Sequence, residues 1–212
     1  MRLPRLILAD DHTLVADALR ELVAPHFDVV TTVADGRSLL DAALSLKPDA
    51  VVVDVGMPLL NGLDACRQLK VKVPAVRFVF LTMNEDPDIA VEAMKMGASG
   101  YISKKSAASE LLQAIHAALR GKIYITPQIA RGMQESFIRN PQSQSRPKSI
   151  TPRQREVVQL LAEGRSMKEA ARLLTVTPRT VAFHKYRVMQ GLRLKTNAEL
   201  VQFAIKNRIL VA

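Results

Sequence analysis

Apolar runs and helical stripes alternate through the first part of the 212-residue chain. Leu6-Ile7-Leu8-Ala9 is a short apolar run closed by Asp10-Asp11. The pattern repeats at Val29 to Val33, at Val51-Val52-Val53 closed by Asp54, at Phe78 to Leu81 followed by Thr82, and at Tyr101-Ile102-Ser103 followed by Lys104. Val51 to Val53 show no polar alternation, so they predict a strand buried on both faces, the habit of parallel sheets. Between the runs, apolar residues recur at the helical period. Leu14, Ala18, Leu19, Leu22 and Val23 predict a helix over 13–24 that Pro25 stops, and further helices are predicted over 35–46, 62–71, 86–96 and 110–119. Each parallel crossover must traverse the sheet, so five strands alternating with five helices predict an α/β domain. Its sheet is doubly wound, parallel and five-stranded, with both faces covered.

Beyond about residue 125 the pattern changes. A helix fits 128–137, and Arg139 to Ser149 then holds no apolar residue and two prolines, the composition of a linker. Four helices fit the remainder, over 152–163, 167–174, 178–190 and 197–206. Thr151 caps the first of them, with Pro152 at the first helical position and Gln154 completing a capping box. Thr175-Val176-Thr177 is the short turn of a helix-turn-helix. The chain thus divides into an α/β domain over 1–124, a connecting helix and linker over 125–149, and a small all-α four-helix domain over 150–212.

Charge sharpens this division. Residues 1–125 carry 14 Lys+Arg against 15 Asp+Glu, whereas residues 126–212 carry 16 against 5, so essentially all of the net +10 belongs to the second part. A basic domain beside a neutral one predicts different partners, the second of them polyanionic. One cysteine, Cys66, excludes an intramolecular disulfide, and no His/Cys grouping has zinc spacing. No secretory apolar segment and no stretch of membrane-spanning length is present, so the expected location is the cytoplasm, without a membrane partner.

The candidate chemistry sits where the apolar runs end. If the first and third strands are neighbours, as in the flavodoxin-like order, Asp10, Asp11 and Asp54 meet at the topological switch point. Clustered carboxylates need a counter-ion, and hard oxygen ligands with room for water suit Mg²⁺. Thr82 offers a hydroxyl and Lys104 a cation, both fit for phosphoryl oxygens. Asp10-Asp11, the Asp54-Val-Gly-Met-Pro58 run, Leu81-Thr82 and Gly100-Tyr-Ile-Ser-Lys104 together resemble the receiver domain of a bacterial two-component response regulator. The resemblance covers about residues 4 to 122. It implies that Asp54 accepts a phosphoryl group from a sensor histidine kinase or a small-molecule donor. It also implies that Asp10, Asp11, Asp54 and the carbonyl of Gly56 hold Mg²⁺, and that Thr82 and Lys104 bind phosphoryl oxygens. Tyr101 would be the aromatic that changes rotamer as Thr82 is drawn inward. His12 and His116 read as surface or packing residues.

In the basic domain, a helical wheel through Val181 puts Val188 and Leu192 on the buried stripe. Arg179, Phe183, Tyr186 and Gln190 lie opposite, Ala182 and Arg187 flank them, and His184 and Lys185 border the core. An exposed face with two aromatics and an arginine suits a DNA groove better than bulk water. Leu160-Leu-Ala-Glu-Gly164, Lys168-Glu-Ala-Ala171 and Thr180-Val-Ala-Phe-His184 resemble the LuxR-type domain of the NarL/FixJ response regulators. By that resemblance Lys168, Thr177, Thr180 and Arg187 contact phosphates, while Arg179, Ala182, Phe183 and Tyr186 read bases. Gly191 departs from the family's usual Lys and should weaken the last turn of the recognition helix. The implied protein is a transcription regulator that binds double-stranded DNA, dimerises when phosphorylated and has RNA polymerase as a further partner. Its only enzymatic acts would be Mg²⁺-dependent self-phosphorylation and slow autodephosphorylation. Two other readings are a phosphorylation-independent DNA-binding regulator that uses its receiver only to dimerise, and an aspartyl-phosphate phosphatase.

Overall fold

The computed structural model describes residues 2–83, 85–139 and 150–210. The chain splits into two compact units, Met1–Pro141 and Gln142–Ala212. Apart from Arg139, the expected linker lies outside the described residues.

In the first unit strands and helices alternate as β1 (Arg5–Ala9), α1 (Thr13–Val23), β2 (Asp28–Val33), α2 (Gly36–Leu46), β3 (Ala50–Asp54), α3 (Gly62–Lys72), β4 (Arg77–Thr82), α4 (Pro87–Met96), β5 (Gly100–Ser103) and α5 (Ala107–Leu119). The expectation of five strands is corrected to six. A further strand, β6 (Tyr124–Ile125), pairs in parallel with Gly100 and Tyr101, giving the order β2-β1-β3-β4-β5-β6. Two residues are too few to show a period, so no hydrophobic pattern marks this strand. A helix α6 (Pro127–Arg139) follows in the same unit. Helix α5 also starts earlier than its apolar stripe suggests. A 3-10 turn over Lys104–Ser106, begun by Ser103 Oγ accepting from the Lys105 amide at 3.3 Å, runs directly into Ala107.

The inner strands β1, β3 and β4 are buried on both faces because they are apolar along nearly their whole length, whereas the edge strand β2, with Thr31 and Thr32, is only half-buried. Val51, Val52 and Val53 are at most 1% exposed. Leu6, Leu8, Val52, Val79, Leu81 and Ile102 pack on one side against Leu111, Ala114, Ile115 and Ala118 of α5 and Leu19 and Val23 of α1. Each such leucine contributes roughly 1.5–3 kcal/mol through burial. Register then does the positioning: Ala9 lies opposite Val53, Asp54 opposite Leu81, and Thr82 opposite Ser103. The residues that follow these pairs emerge at one carboxyl edge, at the switch point between β1 and β3.

Behind that edge, α3 approaches β3 with no side chain between them. A Cβ on Gly62 would stand 2.0 Å from the backbone oxygen of Asp54, and the Gly62 amide donates to Val55 O at 3.0 Å. Asn61 caps the helix by accepting from the Asp64 amide at 2.8 Å.

The second unit contains α7 (Pro152–Ala162), α8 (Met167–Leu173), α9 (Pro178–Leu192) and α10 (Asn197–Lys206). Thr151 and Ser166 each form a capping box, with Gln154 and Glu169, and Thr177 and Thr196 cap α9 and α10. Val158, Val188, Met189, Leu200, Ala204 and Ile209 form the small core. The turn from α8 to α9 carries Thr175 in the left-handed region (φ 53°), and Arg193 ends α9 there as well (φ 58°). Helix α9 thus reaches Leu192, past the expected 190, and Gly191 lies inside its final turn.

Two glycines should therefore respond oppositely to alanine. Nothing stands within 4 Å of a Cβ built on Gly191, so Gly191→Ala should raise stability by roughly 1 kcal/mol. Gly62→Ala must push α3 off β3 and should lower it by about 1–3 kcal/mol. Urea titrations of both variants check the pair of signs.

Candidate functional site

Three consecutive residues after β1 open the site. Asp10 is buried, while Asp11 and His12 are exposed. Asp54, at the end of β3, is buried beside them. The Lys104 ammonium lies between the two buried carboxylates, 2.7 Å from Asp10 Oδ2 and 2.7 Å from Asp54 Oδ2. The Gly56 amide donates to Asp54 Oδ1 at 3.3 Å, and the His12 amide donates to Asp10 Oδ1 at 3.0 Å. Thr82 and Tyr101 are both fully buried, and the Tyr101 ring stands 6.3 Å from that of Phe80. The sheet thus gathers Asp10, Asp11, Asp54, Gly56, Thr82 and Lys104 along one edge, with Tyr101 inside the neighbouring strand.

Burial dominates the electrostatics. It pushes the Asp54 carboxyl above its ordinary value, the hydrogen bond and charge of Lys104 pull it only partly back, and Asp10 adds to the rise. Burial works against the Lys104 charge too, but hydrogen bonds and charges from Asp10 and Asp54 outweigh it and hold that ammonium above the usual lysine range. Taking these charges out of water is tolerable only because they meet each other.

The three carboxylates of the site fit a hard divalent cation, which takes oxygen ligands. Asp10, Asp11, His12 and Asp54 each offer a ligand atom within 4.8 Å of the others. His12 is a surface residue, as the sequence suggests, and it also stands beside this group: its Nδ1 lies 3.0 Å from Asp11 Oδ1 and 3.4 Å from Asp10 Oδ1. Its place directly after two acidic residues at a strand end was the available signal for that proximity.

A second set of contacts had no sequence signal. Ser103 Oγ donates to Glu85 Oε1 at 2.8 Å, and Lys105 pairs with the same oxygen at 3.3 Å. Thr126 Oγ1 accepts from the Ser103 amide at 3.2 Å and donates to Glu110 Oε2 at 2.7 Å. Gln128, at the start of α6, donates to Glu85 Oε2 at 3.3 Å, and Ser136 Oγ donates to Asp88 Oδ1 of α4 at 2.8 Å. These bonds join the loop after β4, the end of β5, α4, α5 and α6, and they begin at Glu85 and Ser103, close in sequence to Thr82 and Lys104.

In the second unit the exposed face of α9 carries Arg179, Phe183, Tyr186 and Arg187, while Val181 and Val188 are buried beneath. Ala182 and Thr180 are half-buried, and Lys168 is exposed on α8. Thr177 has a structural task, since its hydroxyl accepts from the Thr180 amide at 3.2 Å and lies 3.0 Å from the Thr180 hydroxyl. Lys185, at the edge of the core on the wheel, is only 8% exposed.

Comparison with known proteins agrees with this geometry. Residues 6–116 match the family model for the response regulator receiver domain, and residues 148–204 match that for bacterial regulatory proteins of the luxR family. The oxygen regulatory protein NreC of Staphylococcus carnosus is 30% identical, over 97% of this chain and 99% of its own. The nitrate/nitrite response regulator protein NarL of Escherichia coli K12 is 30% identical, over 96% of each chain. The RcsB response regulator of Salmonella typhimurium shares the fold, with a TM-score of 0.64 at 23% identity over 98% of this chain and 99% of its own. RcsB in complex with DNA superposes with a TM-score of 0.61 at 23% identity, over 97% of this chain and 99% of its own. Among the described residues no helix is long and apolar enough to cross a membrane.

The raised Asp54 carboxyl has a measurable sign. A folded-state value above the unfolded one means that ionised Asp54 costs the fold stability at neutral pH, and the cost fades as pH falls through the raised value to the unfolded one. Asp54→Asn keeps an acceptor for Lys104 and removes the charge. In EDTA it should be more stable than wild type at pH 7, and paired urea titrations should show the difference closing toward about pH 4.

Proposed function

The chain belongs to the two-component response regulators that join a receiver domain to a LuxR-type DNA-binding domain, and on that basis we propose that it is a cytoplasmic transcription regulator switched by phosphorylation of Asp54. The observation that carries this reading is the Lys104 ammonium held 2.7 Å from both Asp10 and Asp54 at a strand-end switch point. A structural ion pair alone does not account for an exposed Asp11 and His12 beside two buried carboxylates and a buried threonine.

Asp10, Asp11, Asp54 and the Gly56 carbonyl would hold Mg²⁺, which supplies neutralisation of the charge on the phosphoryl oxygens. The remaining work falls to the protein. An Asp54 carboxylate oxygen forms the new O–P bond as the donor's bond to phosphorus breaks: N–P for a kinase phosphohistidine, acyl O–P for acetyl phosphate. The leaving group keeps the electron pair. Lys104 transfers its contact from Asp54 to a phosphoryl oxygen, and the Thr82 hydroxyl bonds another. Thr82 then moves toward the site, Tyr101 follows, and the Glu85–Ser103–Thr126 contacts are perturbed with α4 and α6. A coupling of about 1–3 kcal/mol suffices to shift such a two-state element.

The output is sequence-specific binding of the second unit to double-stranded DNA, with Lys168, Thr177, Thr180 and Arg187 at phosphates and Arg179, Ala182, Phe183 and Tyr186 at bases. The phosphorylated form is a homodimer whose half-sites lie about one helical turn apart. RcsB, which shares the fold at 23% identity, binds DNA as dimers. A sensor histidine kinase is the upstream partner and RNA polymerase the downstream one. Catalysis is confined to the protein's own acyl phosphate, formed with Mg²⁺ and slowly lost.

Incubation with acetyl phosphate and Mg²⁺ should add one phosphoryl group by intact mass. The adduct should be absent from Asp54→Ala and from EDTA-treated protein, and it should raise DNA affinity. Absence of both adduct and Mg²⁺ binding would sink the reading and favour a receiver used only for dimerisation.

A further inference from the structure

Two large aromatic side chains stand in solvent on α9, opposite its buried stripe: Phe183 is 55% exposed and Tyr186 58%. The cations beside them are turned onto the rings. Arg187 Cζ lies 5.3 Å from the Phe183 centroid, and Lys185 Nζ lies 5.5 Å from that of Tyr186. At such distances ring and cation attract, so each charge is drawn toward its own ring. Ala182 adds a half-buried methyl to the same region. This face thus presents two exposed aromatic rings flanked by Arg179 and Arg187, on the strongly basic part of the chain.

Charge decides what covers it. A second copy would bring the same excess of Lys and Arg, whereas DNA brings the opposite sign. Within the major groove, the thymine 5-methyl is the apolar group that a base edge presents. Phe183 and Tyr186 are three residues apart, about 4.5 Å along the helix axis. That span is close to one step between neighbouring base pairs, roughly 3.4 Å, and well short of two. We infer that Phe183 and Tyr186 select DNA half-sites by packing on the 5-methyl groups of thymines at two neighbouring positions, an inference that rests on the DNA-binding reading above and specifies its sequence class.

Selection from a random duplex pool tests this, using the full chain with and without acetyl phosphate and Mg²⁺. The selected duplex is then remade with deoxyuridine in place of each thymine in turn, which removes one methyl and leaves base pairing intact. Loss of a buried methyl should weaken binding about fourfold at each of two neighbouring positions. Phe183→Ala and Tyr186→Ala should each abolish the uracil effect at one of them. Both side chains are exposed, so thermal melting of the variants should match wild type. A selected consensus insensitive to uracil, or one without neighbouring thymines, overturns the inference and leaves DNA regulation standing. Loss of self-association in Phe183→Ala together with uracil insensitivity reassigns the face to a second copy and overturns it as well. Failure to enrich any sequence in either state removes the DNA-binding reading and this inference with it.

Discussion

The site of the first unit depends on one positive charge shared between two buried carboxylates. Two unit charges 4 Å apart repel by about 4 kcal/mol at an effective dielectric of 20, and the ligand atoms of Asp10 and Asp54 lie within 4.8 Å of each other. Lys104 relieves that repulsion from 2.7 Å on each side. The three residues stand directly after β1, at the end of β3 and in the turn after β5, so the interaction ties together strands spread across the sheet. The same arrangement makes the site responsive. Any cation or phosphoryl group entering there alters the partners of Lys104, and Lys104 follows directly after Ser103, which is bonded to Glu85 and Thr126.

The second unit solves a different problem. With four short helices and a small core, it relies on closing helix ends: Thr151, Ser166, Thr177 and Thr196 each satisfy an amide of the first turn. Such caps are typically worth about 1 kcal/mol each. This leaves the exposed face of α9 free of structural duty except at Thr177 and Thr180, whose hydroxyls are already engaged at the helix start. Their proposed phosphate contacts must therefore share atoms with the cap.

Most of this plan was legible because the responsible signals are local. Apolar runs without alternation marked the buried strands, and the carboxylates closing them marked the edge where Asp10 and Asp54 meet. What stayed hidden was non-local or too short to carry a period. β6 has two residues and exists only because Gly100 and Tyr101 offer an open edge. The Glu85–Ser103–Thr126–Glu110 chain joins residues from separate loops and helices, which no spacing rule connects. His12 was in plain sight, but assigning it to the acidic group needed the turn geometry that brings Nδ1 to Asp11. The depth of Lys185, by contrast, follows from its place at the border of the core on the wheel.

The order in which these parts leave the ribosome adds a constraint on the nascent chain. Lys104 is made 50 residues after Asp54, an interval of roughly 3–10 s at ordinary elongation rates. During that interval β1 and β3 can pair, yet their carboxylates face each other without the ammonium that later reconciles them. Until Lys104 arrives, the clustered carboxylates of Asp10, Asp11 and Asp54 are of a kind that a divalent cation can neutralise.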